Sequence, residues 1–260
     1  MRRLFLAAVA ALLLLRCQPS APPAQPPSAQ AVIDSAITAH GGPVLNQAVL
    51  TFTFRGDQYR LNQHHGRFHY RRSYTDSLGR QVQDGLTNNG PYRVVAGDTV
   101  ALSLAEQTAV QTRVNSVAYF TLLPHPLQDA AVQPTYEGRD TLQGTAYHRL
   151  RITFRKEGGG SDWEDVFLYW FAVDTYDMDY LAYAYGLGPD DSDSGTRFRT
   201  AYNERRIKGI RFADYKNYTA PRLAPTEMHR YPSLWLQDSV RLVSRIEIDS
   251  IQVRTLPPDE

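Results

Sequence analysis

Six acidic residues surround an aromatic segment in the second half of the chain, and they are the first candidates for chemistry. They are Asp162, Glu164, Asp165, Asp174, Asp177 and Asp179. Paired carboxylates can act as general acid and general base, so one hypothesis is a hydrolase that acts on a glycan or an ester of the cell envelope. The alternative, which we favour, is that these acids cap turns and keep the strand ends soluble.

Other residue types do not form a catalytic or metal-binding pattern in the sequence. His64, His65 and His69 are close together, but on a strand His65 and His69 would lie about 13 Å apart, with His64 on the opposite side. The acidic stretch 189–195 lacks the glutamate that a calcium-binding loop needs at its twelfth position. No serine lies in a nucleophile elbow. We therefore expect no metal, no cofactor and no catalytic residue.

Cys17 is the one cysteine in 260 residues, and it follows a short leader. Two arginines precede an apolar run whose length suits an export signal better than a permanent membrane helix. We expect a signal peptide at 1–16 and a lipid on Cys17, which would anchor the protein to a membrane. Arg16 departs from the small residue that usually precedes a lipidated cysteine, so the alternative is an ordinary secretory signal cleaved further along. Both interpretations predict export, and we expect the periplasmic face of the outer membrane.

The residues that follow Cys17 form a spacer. Five prolines fall within the thirteen residues after it, so we expect 17–30 to be an extended linker. Without the leader the charges nearly balance, and no block of lysine or arginine suits a phosphate backbone. This excludes nucleic acid as an expected partner, whereas the oligomeric state is not indicated.

The remaining residues, 31–260, are typical of a single β-rich domain. Apolar residues at helical spacing predict an N-terminal helix at 31–42, which ends in two glycines, and a second helix within 112–131, which stops at Pro124. Elsewhere the period changes to two, and alternation predicts antiparallel strands separated by glycine-rich turns. The clearest of these strands are 48–56, 66–74, 146–154 and 241–253.

The aromatic segment 166–173 differs from the other strands because both of its faces are apolar, so we expect it to be covered on both sides. The strand after it places Tyr180, Ala182 and Ala184 on one face. Such small residues leave room either for a helix packed on the sheet or for a cavity that holds an apolar ligand.

Four long phrases carry a resemblance to a known family: NSVAYFTLLPHPLQDAAV, EGGGSDWEDVFLYWF, DMDYLAYAYG and GTRFRTAYNERRIKGIRFADYKNY. The chain resembles, from about Ala31 to Val253, a family of exported and lipid-anchored Bacteroidetes proteins of unknown function, DUF6503. The order of its elements is also similar to that of the lipoprotein carriers LolA and LolB, in which helices lie on the concave face of a curved antiparallel sheet that shelters acyl chains.

Pattern and resemblance together predict a mostly β (α+β) fold: a curved antiparallel sheet or open β-barrel, with an N-terminal and an internal helix on its concave face. The expected function is non-catalytic binding of an apolar or amphipathic ligand, such as a lipid or acyl chain, by a lipid-anchored protein. The expected lining comprises Phe52, Phe54, Tyr169, Trp170, Tyr180, Ala182 and Ala184. Two alternatives are the hydrolase described above and a structural or protein-interaction module that uses the 16 tyrosines as a binding face.

Overall fold

The computed structural model describes residues 25–64, 66–160, 162–188 and 193–257. The expected signal peptide, Cys17 and the first part of the linker lie outside the described residues. The same is true of His65 and of residues 189–192 in the acidic stretch.

The described chain forms two seven-stranded antiparallel sheets. The first sheet contains β1 (Gln47–Phe54), β2 (Asp57–His64), β3 (Arg67–Thr75), β4 (Gln81–Thr87), β5 (Gly90–Val95), β6 (Asp98–Val100) and β14 (Asp249–Thr255), in the order β14-β1-β2-β3-β4-β5-β6. The second contains β7 (Val132–Leu142), β8 (Thr145–Phe154), β9 (Val166–Ala172), β10 (Met178–Tyr185), β11 (Gly195–Ile207), β12 (Ile210–Thr219) and β13 (Arg241–Ile246), in the order β13-β12-β11-β10-β9-β8-β7. The helices are α1 (Ala29–Ala39), α2 (Gly42–Leu45), α3 (Leu104–Leu122) and α4 (Tyr231–Leu236), with short 3₁₀ turns at His125–Gln128 and Pro225–Arg230.

The two sheets meet where β13 passes directly into β14. The chain leaves the edge of the second sheet at Ile246 and joins the edge of the first at Asp249. Asp214 of β12 holds this crossing, because its carboxylate accepts the backbone N–H of Ile248 at 3.1 Å. The single strand expected over 241–253 is therefore wrong, since its two halves belong to different sheets. The far edges, β6 and β7, do not pair with each other, so the assembly is unclosed.

Both predicted helices are present, and each begins earlier than its apolar pattern suggested. The Ser28 side chain accepts the N–H of Ala31 and caps α1 at its first residues. A capping box between Ser103 and Glu106 starts α3 eight residues before the expected position 112. Leu122 ends α3 just before Pro124, as the sequence predicted. No helix in the described part of the chain is both long and apolar enough to cross a membrane.

Apolar residues form a core on the inner faces of the sheets and a separate cluster on the outer face of the second sheet. On the inner faces, α3 packs on β3, β4 and β5 of the first sheet, and α1 covers residues of β8 and β9 in the second. On the outer face, α4 and the turn before it cover β9 and β10. There, the ring of Tyr231 stacks on Phe198 with centroids 5.4 Å apart. The expected mostly β, antiparallel and open fold with helices on its inner side is thereby confirmed.

Candidate functional site

A cavity of about 540 Å³ lies on the inner side of the fold, between one flank of α3 and strands of both sheets. Its volume falls within the range of small-molecule sites. The lining from the first sheet and α3 comprises Phe54, Arg55, Asp57, Tyr59, Arg72, Arg113, Ser116, Val117, Phe120, Thr121 and Leu123. The lining from α1 and the second sheet comprises His40, Tyr183, Arg199, Arg211, Phe212, Ala213, Tyr215, Asn217, Ser244, Ile246 and Ile248.

The spacing of apolar residues along α3 explains why this space is not filled by the helix. Val110, Val114, Ala118 and Leu122 share one face, and all four are buried against the core. The two flanks on either side of that face therefore point into open space rather than into the sheet. The first cavity follows one flank, and a second cavity of about 780 Å³ follows the other.

Ser116 and Phe120 of α3, together with Tyr183 of β10, border both cavities. Phe120 lies at the centre of an aromatic group: its ring centroid is 5.5 Å from that of Tyr183 and 6.4 Å from that of Phe167. A change of rotamer at Phe120 would therefore alter the wall between the two spaces.

The polar part of the first cavity is dominated by arginine. Arg72 pairs with Asp57 at 2.6 Å, and Arg211 pairs with Asp179 at 2.8 Å. Arg199 is 7% exposed, and its guanidinium lies 3.7 Å above the centroid of the Phe120 ring. Five of the lining residues are arginines, of which Arg72, Arg113 and Arg211 lie within 4 Å of carboxylates, whereas Arg199 has no carboxylate partner among the described residues.

His40 joins α1 to the second sheet at the edge of the same cavity. Its Nδ1 donates to the carbonyl of Ala36 at 2.8 Å, and its Nε2 accepts the N–H of Met178 at 3.3 Å. These partners select the neutral ring that is protonated on Nδ1. Burial, assisted by the guanidinium of Arg211, lowers the pKa of His40 from 6.5 to about 4.

Of the seven residues predicted to line a binding site, Phe54 lies on the cavity wall. Phe52 is buried behind it in the core, with its ring stacked on that of Tyr59 at 5.4 Å. Tyr169 faces the inner side but is fully buried, and its hydroxyl lies 3.2 Å from the hydroxyl of Tyr119 on α3.

The other four residues, Trp170, Tyr180, Ala182 and Ala184, lie on the outer face of the second sheet, beneath Met228 and Tyr231. The structure therefore does not bring the seven predicted residues to one lining. The reason is the two-residue period of strands, which sends Tyr169 and Trp170 to opposite faces. For the face that carries Ala182 and Ala184, the sequence left two possibilities, a packed helix or a ligand cavity. In the structure a helical segment packs there.

Sequence reasoning missed the α3 flank and the buried arginines of the second sheet. In the structure, Arg199 lies on the same sheet face as Leu181 of the inner core, with which it pairs across the strands. In sequence, however, the alternation TRFRT looks like that of a surface strand with arginines on its exposed side. The packing of α4 against Phe198 places that side chain on the outer face, and Arg199, the next residue on β11, therefore faces inward.

The acidic residues considered for hydrolysis are distributed among different surroundings. Asp177 accepts from Arg206 at 2.9 Å, and Asp179 accepts from Arg211 and from the Tyr147 hydroxyl. These two carboxylates hold the strands together. Asp162 and Asp165, by contrast, line the second cavity. Among the residues that the structure describes, no group of three histidine, aspartate or glutamate side chains could hold a metal ion.

Comparison with solved structures identifies the kind of fold. A LolA superfamily protein from Nitrosomonas europaea is similar, with a TM-score of 0.51 and 11% sequence identity over 89% of this chain and 96% of that one. A candidate outer membrane lipoprotein-sorting domain from Vibrio parahaemolyticus gives a TM-score of 0.43 and 7% identity over 87% of this chain and 93% of that one. The likeness to the first of these two structures shows a LolA-like fold.

A match to a known family of sequences identifies the family of this chain. The family of unknown function DUF6503 matches residues 10–248, so the chain belongs to that family. None of the curated proteins compared with the chain matches it.

Proposed function

We propose that this protein binds an apolar or amphipathic ligand, such as a lipid or an acyl chain, without catalysis, in the first cavity beside α3. The observation that carries the proposal is the cavity of about 540 Å³ on the inner side of a LolA-like fold. Phe54, Val117 and Phe120 supply apolar surface to its wall, and the described residues of its lining include no carboxylate pair suited to hydrolysis.

The energetics of such binding are favourable at modest coverage. Burial of hydrocarbon contributes about 0.8 kcal/mol per methylene, so eight buried methylenes of a longer chain would contribute roughly 6 kcal/mol. Part of this is offset by the loss of translational and rotational freedom. At this coverage the expected dissociation constant is weaker than about 40 μM, the value to which 6 kcal/mol corresponds before that offset.

The location we propose is the cell envelope, with Cys17 as the site of lipid attachment. The leader and the proline-rich residues after Cys17 support this, since a tether of extended residues would hold the fold away from a membrane surface. Mass spectrometry of the protein isolated from its own membranes tests the anchor. We expect a diacylglyceryl group on an N-terminal Cys17, and an unmodified terminus further along the chain would contradict the proposal.

The ligand site is tested with the uncharged fluorescent probe N-phenyl-1-naphthylamine, added to delipidated protein. We expect saturable fluorescence enhancement, and we expect Val117→Trp to weaken it at least tenfold because the indole would occupy the cavity. Ala109→Trp is the matched control, since Ala109 lies on the same helix but is exposed and outside the lining. No enhancement in the wild type, or equal binding by the two variants, would contradict the proposal.

A further inference from the structure

Arg199 and Arg211 are the two arginines that are more than nine-tenths buried among the described residues, and their surroundings differ. Arg211 is held by three carboxylates, those of Asp177, Asp179 and Glu204, at 2.8–3.1 Å. Arg199 makes no ion pair with any carboxylate of the described residues, and its Nε has no hydrogen-bond partner there. A guanidinium carries a positive charge, and within the described part of the chain no carboxylate pairs with that of Arg199.

The contacts of Arg199 aim it into the first cavity. Its Nη2 donates to the hydroxyl of Tyr183 at 3.1 Å, and its plane lies above the Phe120 ring. Beside these contacts, Arg199 forms part of the wall of the first cavity. The aromatic surroundings favour a cation, but they do not neutralise it.

Two more polar side chains continue from Arg199 across the neighbouring strands. Asn217 of β12 pairs in register with Arg199, and Ser244 of β13 pairs with Asn217. Both line the same cavity, and the Oδ1 of the buried Asn217 has no hydrogen-bond partner among the described residues. The row therefore forms a polar strip across β11, β12 and β13 on the wall of the cavity.

Resting on the function proposed above, the geometry points to a more specific ligand: a single-chain amphiphile with an anionic head, which Arg199 binds while the alkyl chain lies along α3. Carboxylate and phosphate heads share the required chemistry, because both accept charge-assisted hydrogen bonds from a guanidinium. Arg199 is thereby the residue that determines specificity for the head group, and Asn217 and Ser244 supply further polar contacts.

The test compares ligands that share a sixteen-carbon chain and differ in the head. Hexadecanoate, hexadecyl phosphate and uncharged hexadecanol each displace the naphthylamine probe from the wild type at pH 8. We expect hexadecanoate or hexadecyl phosphate to bind about tenfold to a hundredfold more tightly than hexadecanol. Whichever anion binds more tightly identifies a fatty acid or a phosphate-bearing lipid as the source.

Arg199→Met should abolish this preference and leave hexadecanol binding within about threefold of the wild type. Arg197→Met is the matched control: Arg197 lies two residues away on the same strand face and donates to the hydroxyl of Tyr185, but it is outside the lining. We expect Arg197→Met to retain the preference. Arg199→Lys, which keeps the charge, should retain part of it.

The outcomes separate the two proposals. If the wild type binds the probe but binds hexadecanol as tightly as the anions, the role of Arg199 is refuted and the binding function stands. If neither the probe nor any ligand binds, both proposals fail. A thermal unfolding midpoint for Arg199→Met at or above that of the wild type would also support the inference, because a structural arginine would lower it on removal.

Discussion

Because His40 is buried and neutral in the folded protein, we expect the protein to lose stability as the pH falls. Its ring is neutral in the folded state, where burial and Arg211 lower its pKa to about 4, whereas in the unfolded chain it titrates near 6.5. The unfolded state therefore binds more protons between these values. Stability is fully present above pH 6.5 and is lost as the pH falls from 6.5 towards 4.

The magnitude follows from the difference between the two pKa values. A difference of about 2.5 units corresponds to about 3 kcal/mol when the loss is complete. Between pH 7 and pH 4.5, His40 should account for about 2 kcal/mol of lost unfolding free energy. This is a large share of the stability of an ordinary domain.

Urea unfolding, followed by circular dichroism at pH 7 and at pH 4.5, measures this loss. In His40→Gln the loss between the two pH values should be smaller than in the wild type by about 2 kcal/mol, because glutamine does not titrate. His229→Gln, a change at an exposed histidine, serves as control and should lose as much as the wild type. Equal losses in His40→Gln and the wild type would refute the assignment of a neutral, buried His40.

Four further changes test the fold by urea unfolding. Gly41→Ala should cost at least about 2 kcal/mol, because Gly41 has φ +84° and an added Cβ would lie 2.6 Å from the Gly209 carbonyl oxygen. Gly56→Ala, at φ +87° with nothing within 4 Å, should cost only about 1 kcal/mol, and equal costs would count against the close approach. Ser103→Ala should cost about 1 kcal/mol through loss of the α3 cap, and no change would mean that α3 starts later. Tyr231→Phe should cost about 1–3 kcal/mol, since its hydroxyl lies 2.7 Å from the Thr196 hydroxyl and accepts the N–H of Ala220; a neutral result would show that the outer cover is loose.

Many of the strands and helices can be predicted from the periodicity of apolar residues, because each element buries one of its faces in the core. The alternation around Phe52 and Phe54 predicts β1, and the four-residue spacing of Val110, Val114 and Ala118 predicts the buried face of α3. The first turns of α3 could not be predicted from apolar spacing, because they are solvated and are stabilised by the cap at Ser103 rather than by apolar contacts.

The binding lining is less predictable because it depends on which face of a doubly apolar strand turns inward. Trp170 and Tyr169 are equally apolar neighbours, and only the packing of α4 on the Trp170 side decides their directions. The passage of the chain between sheets at Ile248 is similarly set by a distant residue, Asp214. Contacts of this kind join residues far apart in sequence, and no local pattern reveals them.

Photo-crosslinking shows whether the space beside α3 receives an alkyl chain. Hexadecanoic acid that carries a diazirine in its chain is bound to the delipidated protein and irradiated, and the labelled peptides are identified by mass spectrometry. We expect labelling within Leu104–Leu122 and on β12, and we expect excess hexadecanoate to suppress it. Labelling concentrated in Pro225–Leu236 on the outer face, or labelling that excess hexadecanoate does not reduce, would contradict the proposed site.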